Sequence, residues 1–261
     1  MKNFLIISFL SFLLAFNVNA GTDGKIELSK KSSKPVKDCF EKLNRSTFSL
    51  NLALDRVIFK PAAKAYRVLP SPVRKGTSNA LDNLSSLITI PNNFLQGDFK
   101  KAGVNTGRFI INTTVGVIGI FDVAKKINFP EYEKEDYGQT FGTWGISAGC
   151  YLVLPVLGPS TVRNTAGSFV NALGGDLWYN ASVHANNQYL SKGQYITTKV
   201  LSGINFRAKN INSIENLEKN SVDFYASMRS LYLQNRQQKI ANSNSMAESY
   251  DDSDWEEIET Q

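Results

Sequence analysis

The amino-acid sequence predicts an all-α fold. Apolar side chains recur at helical steps of three and four in several long segments, convincing strands are scarce, and most prolines and glycines fall between the periodic runs. Residues 40–66 read as helix, with Leu43, Leu50, Leu54 and Val57 on one face, Asn44, Asn51 and Asp55 on a polar one, and an interruption near Pro61. Pro70 and Pro72 then turn the chain. Residues 79–88 and 92–95 read as two short helices separated at Pro91, and 102–113 as another. The charged stretch 122–136 reads as loop, and 151–157 as an extended apolar piece, too short and Pro-broken to found a sheet. Ser160 suits the N-cap of a helix over 162–173, which Gly174 and Gly175 end; 177–190 shows no clean period. In the last helix Ile214, Leu217, Ser221, Phe224, Met228 and Leu231 form a packing seam.

The run 109–121 is apolar apart from Asn112, Thr113, Thr114 and two glycines. Each glycine costs a helix about 1 kcal/mol relative to alanine, so a hairpin turning at Gly116 to Gly119 fits better than a continuous helix. Such a hairpin either lines a lipid-accessible cavity or packs as core.

The N-terminus sets the compartment. Lys2 precedes a thirteen-residue, nearly unbroken apolar run over 4–16, and Val18 and Ala20 stand at −3 and −1 of a cut before Gly21. The run is short of the roughly 20 residues that cross a bilayer core, so residues 1–20 read as a cleaved export signal. Residues 21–38 read as a flexible leader, 39–240 as the helical body, and 241–261 as a disordered tail with seven acids and no base. Setting aside Lys2 and those seven acids leaves 28 basic and 16 acidic side chains, a net charge of +12. A basic body suits an anionic surface, and export favours lipid headgroups over nucleic acid. Cys39 and Cys150 read as two separate thiols, with a single bridge as the alternative.

One catalytic pattern stands out. Gly145-Ile146-Ser147-Ala148-Gly149 matches the G-x-S-x-G nucleophile elbow, and Asp176 and His184 follow in the order of a hydrolase triad. The elbow needs a buried strand before the serine and a helix after it; segment 136–144 is polar and glycine-punctuated, and the residues that follow run into an extended Leu/Val/Pro stretch. The reading is a glycine-rich turn. One histidine and two distant cysteines supply no zinc set, and no phosphate-cradling glycine loop is present. No cofactor and no enzyme are expected.

The order of short motifs is more informative than any one of them. Leu43-Asn44-Arg45, Leu54-Asp55-Arg56, Lys60-Pro61 and Pro72-Val73-Arg74 come first, then Leu95-Gln96-Gly97-Asp98 and Gly107-Arg108-Phe109 through Asn112-Thr113-Thr114 to Gly116. Phe121-Asp122, Tyr137-Gly138-Gln139-Thr140-Phe141-Gly142, Trp144-Gly145 and Tyr151-Leu152-Val153-Leu154-Pro155 follow. Leu157-Gly158-Pro159-Ser160, Arg163 and Arg229-Ser230-Leu231-Tyr232-Leu233-Gln234 complete the set. In this order they resemble the MlaA (VacJ) family of outer-membrane lipoproteins, over about residues 40–235.

The resemblance implies a ring-like helical domain in the inner leaflet of the outer membrane, enclosing an amphipathic channel and associated with porin trimers. Phospholipid misplaced in the outer leaflet would pass through it to a soluble periplasmic lipid carrier, which maintains lipid asymmetry. On this resemblance Arg108, Phe109, Asn112, Thr113, Gly116 and Gly119 belong to the channel or its gate, as do Gly145, Ser147 and Gly149. Arg108 suits a lipid phosphate or an ion pair, and Asn112 to Thr114 suit closure of the hairpin backbone. The chain departs from the family in lacking a lipobox cysteine, which leaves anchoring to the apolar surface of the ring, and in carrying Asn164 where aspartate is common after Arg163. A lipid esterase acting through Ser147 and a porin-binding adaptor that passes no lipid are the rival readings.

Overall fold

The computed structural model describes residues 36–180, 183 and 191–241; the expected signal with its cut between Ala20 and Gly21, most of the leader, His184 and the acidic tail from 242 lie outside them. Among the described residues the regular structure is helical apart from one hairpin. Helix α1 (Glu41–Leu54) passes through a single π-turn (Asp55–Phe59) into α2 (Lys60–Arg67). The break expected near Pro61 is thus a widened turn, in which the Lys60 N–H reaches back to the Asp55 carbonyl. Widening accommodates a residue that has no N–H and would crowd the preceding turn. Helix α3 (Ser71–Leu95) starts with Pro72 in its first turn, where a missing N–H costs nothing, and runs on through Pro91. Two short helices were expected here. Asn92 and Asn93 are fully buried just past Pro91, and their packing outweighs the local proline penalty of about 3 kcal/mol.

Helices α4 (Phe99–Thr114), α5 (Val123–Lys126) and α6 (Tyr137–Thr143) are each capped by an aspartate, Asp98, Asp122 and Asp136, which accepts a backbone N–H of the first turn. The extended piece after 150 does pair: β1 (Tyr151–Leu154) and β2 (Gly158–Thr161) form an antiparallel hairpin with Tyr151 opposite Thr161. Ser160 is therefore a strand residue, and Thr161 caps α7 (Val162–Val170) by accepting from the Asn164 N–H. A second π-turn (Asn171–Gly175), α8 (Leu177–Tyr179), α9 (Lys192–Lys209), α10 (Ile211–Asn220) and α11 (Phe224–Ala241) complete the order. The seam read as one helix breaks at Ser221, whose backbone is extended (φ −92°, ψ 135°).

Polarity is inverted relative to a water-soluble domain. The buried positions of α3 are Arg74, Gly76, Ser78, Asn83, Thr89, Asn92 and Asn93, without one apolar side chain. The apolar face is outside, with Leu43 66% and Leu50 51% exposed on α1 and Val57 75% exposed on the π-turn, while Asn44 is 2% exposed. The Asn44 amide donates to the Tyr151 carbonyl and accepts from the Val153 N–H, so this polar face docks the hairpin edge. Asn51 repeats the arrangement at Leu154 and Val156, and Asp55 takes a two-pronged bond from Arg207. Among the described residues the apolar clusters are small: Phe48, Tyr151, Val153 and Tyr225 in one, Ala63, Tyr66 and Ala208 in the other.

A disulfide joins Cys39 to Cys150 across 111 residues, where two separate thiols were expected. The Tyr151 N–H bonds the Lys37 carbonyl, and Asp38 accepts from Asn44 and Tyr225, so the arm before α1 lies along β1 and brings the two Cα atoms to 5.6 Å. Chain entropy assigns a loop of roughly 100 residues a stabilisation of ~4.7 kcal/mol, against about 2–4 kcal/mol for disulfides in general. Cys39→Ser should lower the melting temperature, reduction of the wild type should lower it equally, and reductant should leave the variant unchanged; thermal melts check all three.

Buried Glu135 accepts from the Gln96 and Gln139 side chains, and Thr140 donates to Asn92. Burial raises the Glu135 carboxyl above its ordinary range against those bonds. The folded protein then holds a proton that the unfolded chain has released, so stability falls as pH rises from the ordinary glutamate value through the raised one, and the deficit persists above it. Glu135→Gln can accept the same two bonds without a buried charge. It should be at least as stable as the wild type at pH 7, with the difference shrinking toward pH 4, as read by urea unfolding at both pH values.

Candidate functional site

The inward stripe of α4 is Lys101, Asn105, Arg108 and Asn112, at steps of four, three and four residues. That spacing keeps them on one helical face, toward α3 and the 122–134 segment. Arg108 donates to the Phe129 carbonyl at 2.9 Å, forms a two-pronged pair with Asp122 and lies 3.5 Å from Glu131. Asn112 donates to Asp122 and accepts from the Ala124 N–H, both at 2.9 Å. Together they tie the end of α4 to the start of α5, and the chain between them is forced into a tight reversal.

In that reversal the Gly119 N–H returns to the Asn112 carbonyl and the Phe121 N–H to that of Gly116. A side chain at Gly116 would place its Cβ 2.2 Å from the Phe121 carbonyl oxygen. Gly119 has φ +85° and backs onto Asn83, where a Cβ would fall 2.5 Å from the Asn83 Cβ. Val117 and Ile118 are also left-handed, at φ 54° and 57°. For β-branched residues that is strained backbone, and the turn spends it on display: Val115, Val117, Ile118, Ile120 and Phe121 are 42–68% exposed. Of the 109–121 run, residues 109–114 are still helix α4 and only 115–121 form the turn, whose tip is surface rather than core. Phe109 is half-buried on the helix leading to it, and Thr113 accepts from the Asn83 side chain at 2.8 Å.

Beside the tip is a cavity of about 70 Å³, lined by polar groups including Asp82, Asn83, Asn105, Arg108, Glu131 and Lys134. Asp82 pairs with Lys134. Sequence reasoning missed Asp82, Asn83, Glu131 and Lys134. The polar spacing within α4 was a legible signal for its own stripe, but the partners come from distant segments with no pattern of their own.

The second expected segment, with Gly145, Ser147 and Gly149, forms the loop from α6 to β1. It is separate from the first: no bond connects it to the 115–121 turn among the described contacts. Arg163 holds it, donating from Nη1 to the Ile146 carbonyl at 3.0 Å and from its backbone N–H to the Ala148 carbonyl at 3.1 Å. Burial, and then the neighbouring Arg236 cation, lowers the Arg163 guanidinium from its ordinary value. Against burial, the bonds and charge of Arg236 hold Asp136 below the ordinary carboxylate range. Asn164 pairs with Arg236 and Tyr232 rather than with Arg163. Trp144 and Ile146, 44% and 49% exposed, make this loop a second apolar projection.

Ser147 is exposed and follows α6 and a turn, without the strand that an elbow requires. The Asp176 carboxylate is taken by the Tyr195 hydroxyl, Lys199 and the Tyr179 N–H. No described helix is long and apolar enough to cross a membrane.

Comparison with known proteins agrees with the motif order. A family model described as MlaA lipoprotein matches residues 36–239. The intermembrane phospholipid transport system lipoprotein MlaA of Haemophilus influenzae is 29% identical over 243 residues, 92% of each chain. That of Escherichia coli K12 is 32% identical over 210 residues, 78% of each chain. A protein of Rickettsia bellii is 32% identical over 209 residues, covering 79% of this chain and 78% of that one. A solved structure described as "Structural basis for maintenance of bacterial outer membrane lipid asymmetry" matches with a TM-score of 0.65 and 32% identity, over 79% of this chain and all of that one. The chain belongs to the MlaA lipoprotein family, components of an envelope phospholipid transport system.

Proposed function

We propose that this protein lies in the inner leaflet of the outer membrane and passes phospholipid from the outer leaflet, through an amphipathic channel in its helical body, to a soluble periplasmic carrier. The observation that carries this reading is the inverted polarity. Exposed leucine, valine, isoleucine and phenylalanine side chains on α1, on the 115–121 turn and at Val156 and Leu157 surround an interior of amides and ion pairs. Water penalises such a surface by about 25 cal/mol per Å² of apolar area, whereas acyl chains match it. The polar interior supplies what a headgroup needs along its path. Arg108, Phe109, Asn112, Thr113, Gly116 and Gly119 belong to the path, and Gly145, Ser147 and Gly149 to a loop that gates it. Residues 1–20 direct export and are removed between Ala20 and Gly21, and residues 39–240 form the working body. The apolar surface holds it in the leaflet, against a porin trimer. Ser147 acts through the loop and not as a nucleophile, in support of which its setting lacks the strand of an elbow.

Deleting the gene should raise outer-leaflet phospholipid and detergent sensitivity; unchanged asymmetry would end the reading. Ser147→Ala should restore asymmetry in the deletion strain as fully as the wild type. Ile118→Asp tests the membrane contact, since aspartate tolerates the left-handed backbone there. Loss of an exposed isoleucine that the membrane would bury, about 1.5–3 kcal/mol, should weaken partition of the purified protein into vesicles by roughly tenfold or more, measured by flotation.

A further inference from the structure

We propose that the cleft beside the 115–121 turn is a headgroup site selective for a zwitterionic phospholipid, one that carries a phosphate and a free ammonium group. This inference rests on the lipid-transfer reading and adds a substrate class to it.

The rim charges carry the argument. Asp82 and Lys134 pair across the mouth, and Lys209 approaches Asp82 at 4.0 Å. Glu131 stands 3.5 Å from Arg108. The side chains of Asp82, Lys134 and Glu131 are 51%, 46% and 45% exposed. Ion pairs this wet contribute little and part readily. A ligand with both charges replaces them without loss: its ammonium takes the place of Lys134 at Asp82, with Glu131 close by, and its phosphate takes the place of Asp82 at Lys134. An anionic headgroup meets Lys134, and Lys209 behind Asp82, but it brings no ammonium for Asp82 and Glu131 and sets its phosphate against both carboxylates, a repulsion that discriminates against it.

The floor does not relax that discrimination. Arg108, 8% exposed, is already committed to Asp122 and the Phe129 and Pro130 carbonyls, so it is a fixed wall and not a free phosphate clamp. Asn105 and Asn112, also buried, donate to Asn93 and Asp122. The acyl part has its own surface. The Asn79 side chain, on the cleft wall, donates to the Ile120 carbonyl at 3.1 Å, so the exposed apolar turn begins where the polar wall ends. A soluble phosphoester makes no use of that edge.

The test uses the full chain in detergent micelles, equilibrated with equal amounts of phosphatidylethanolamine and phosphatidylglycerol of identical acyl chains, with bound lipid read by mass spectrometry. The wild type should retain the ethanolamine lipid in several-fold excess. The double variant Asp82→Asn, Glu131→Gln, both positions half-exposed and checked by melting temperature, should bring the ratio close to one, and Lys134→Gln should lower retention of both lipids. Equal retention by the wild type, preference for the glycerol lipid, or a preference that the double variant leaves intact overturns the inference while the lipid-transfer reading stands. Competition by glycerophosphoethanolamine as strong as that of the intact lipid assigns the cleft to a soluble ligand and overturns it too. Retention of neither lipid overturns the transfer reading and this inference together.

Discussion

A polar group taken out of water must find a partner, and in this protein that requirement does the work usually left to apolar packing. An unpartnered buried amide or carbonyl costs about 1–3 kcal/mol, so each of Asn44, Asn92, Asn105, Asn112 and Gln139 fixes two segments at a defined distance. Directional bonds also specify register. Asn44 and Asn51, seven residues apart on α1, read successive backbone groups of the hairpin edge from Tyr151 to Val156. A purely apolar contact would tolerate sliding there. With the interior held in this way, the apolar side chains are released to the outside.

Helix class was legible because periodicity survives inversion: a stripe of asparagine and arginine at steps of three and four marks a face as clearly as a stripe of leucine. What periodicity does not state is which face points inward. Leu43, Leu50 and Val57 read as the apolar face and are outside; Asn44 and Asp55 read as the polar one, and Asn44 is buried and Asp55 partly so. The usual convention turns the apolar face inward, and here it misleads. Proline was over-read for a related reason. Pro61 and Pro91 are local penalties of a few kcal/mol, overridden by a π-turn in one case and by two buried asparagines in the other.

The candidate site was half legible. Asn112, Gly116 and Gly119 announced a reversal, since a regular helix disfavours the glycines and a side-chain amide can close a turn. The strain at Val117 and Ile118 was not announced, because nothing in a Val-Ile pair signals left-handed backbone. Asp82, Glu131 and Lys134 were invisible for a different reason. They sit on α3 and on the irregular segment before α6, and only the fold brings them together. The disulfide was undecidable from two cysteines 111 residues apart, and the pairing of the arm with β1 decides it.

That clasp also imposes an order of events. A chain threaded outward from its N-terminus presents Cys39 early, and its mate arrives only after more than a hundred further residues have crossed. Until then the arm has no strand to lie against, and the greasy helices between them emerge before the bond can close. Closure therefore reports that the hairpin has been delivered and docked, and an oxidising compartment turns that moment of assembly into a covalent record.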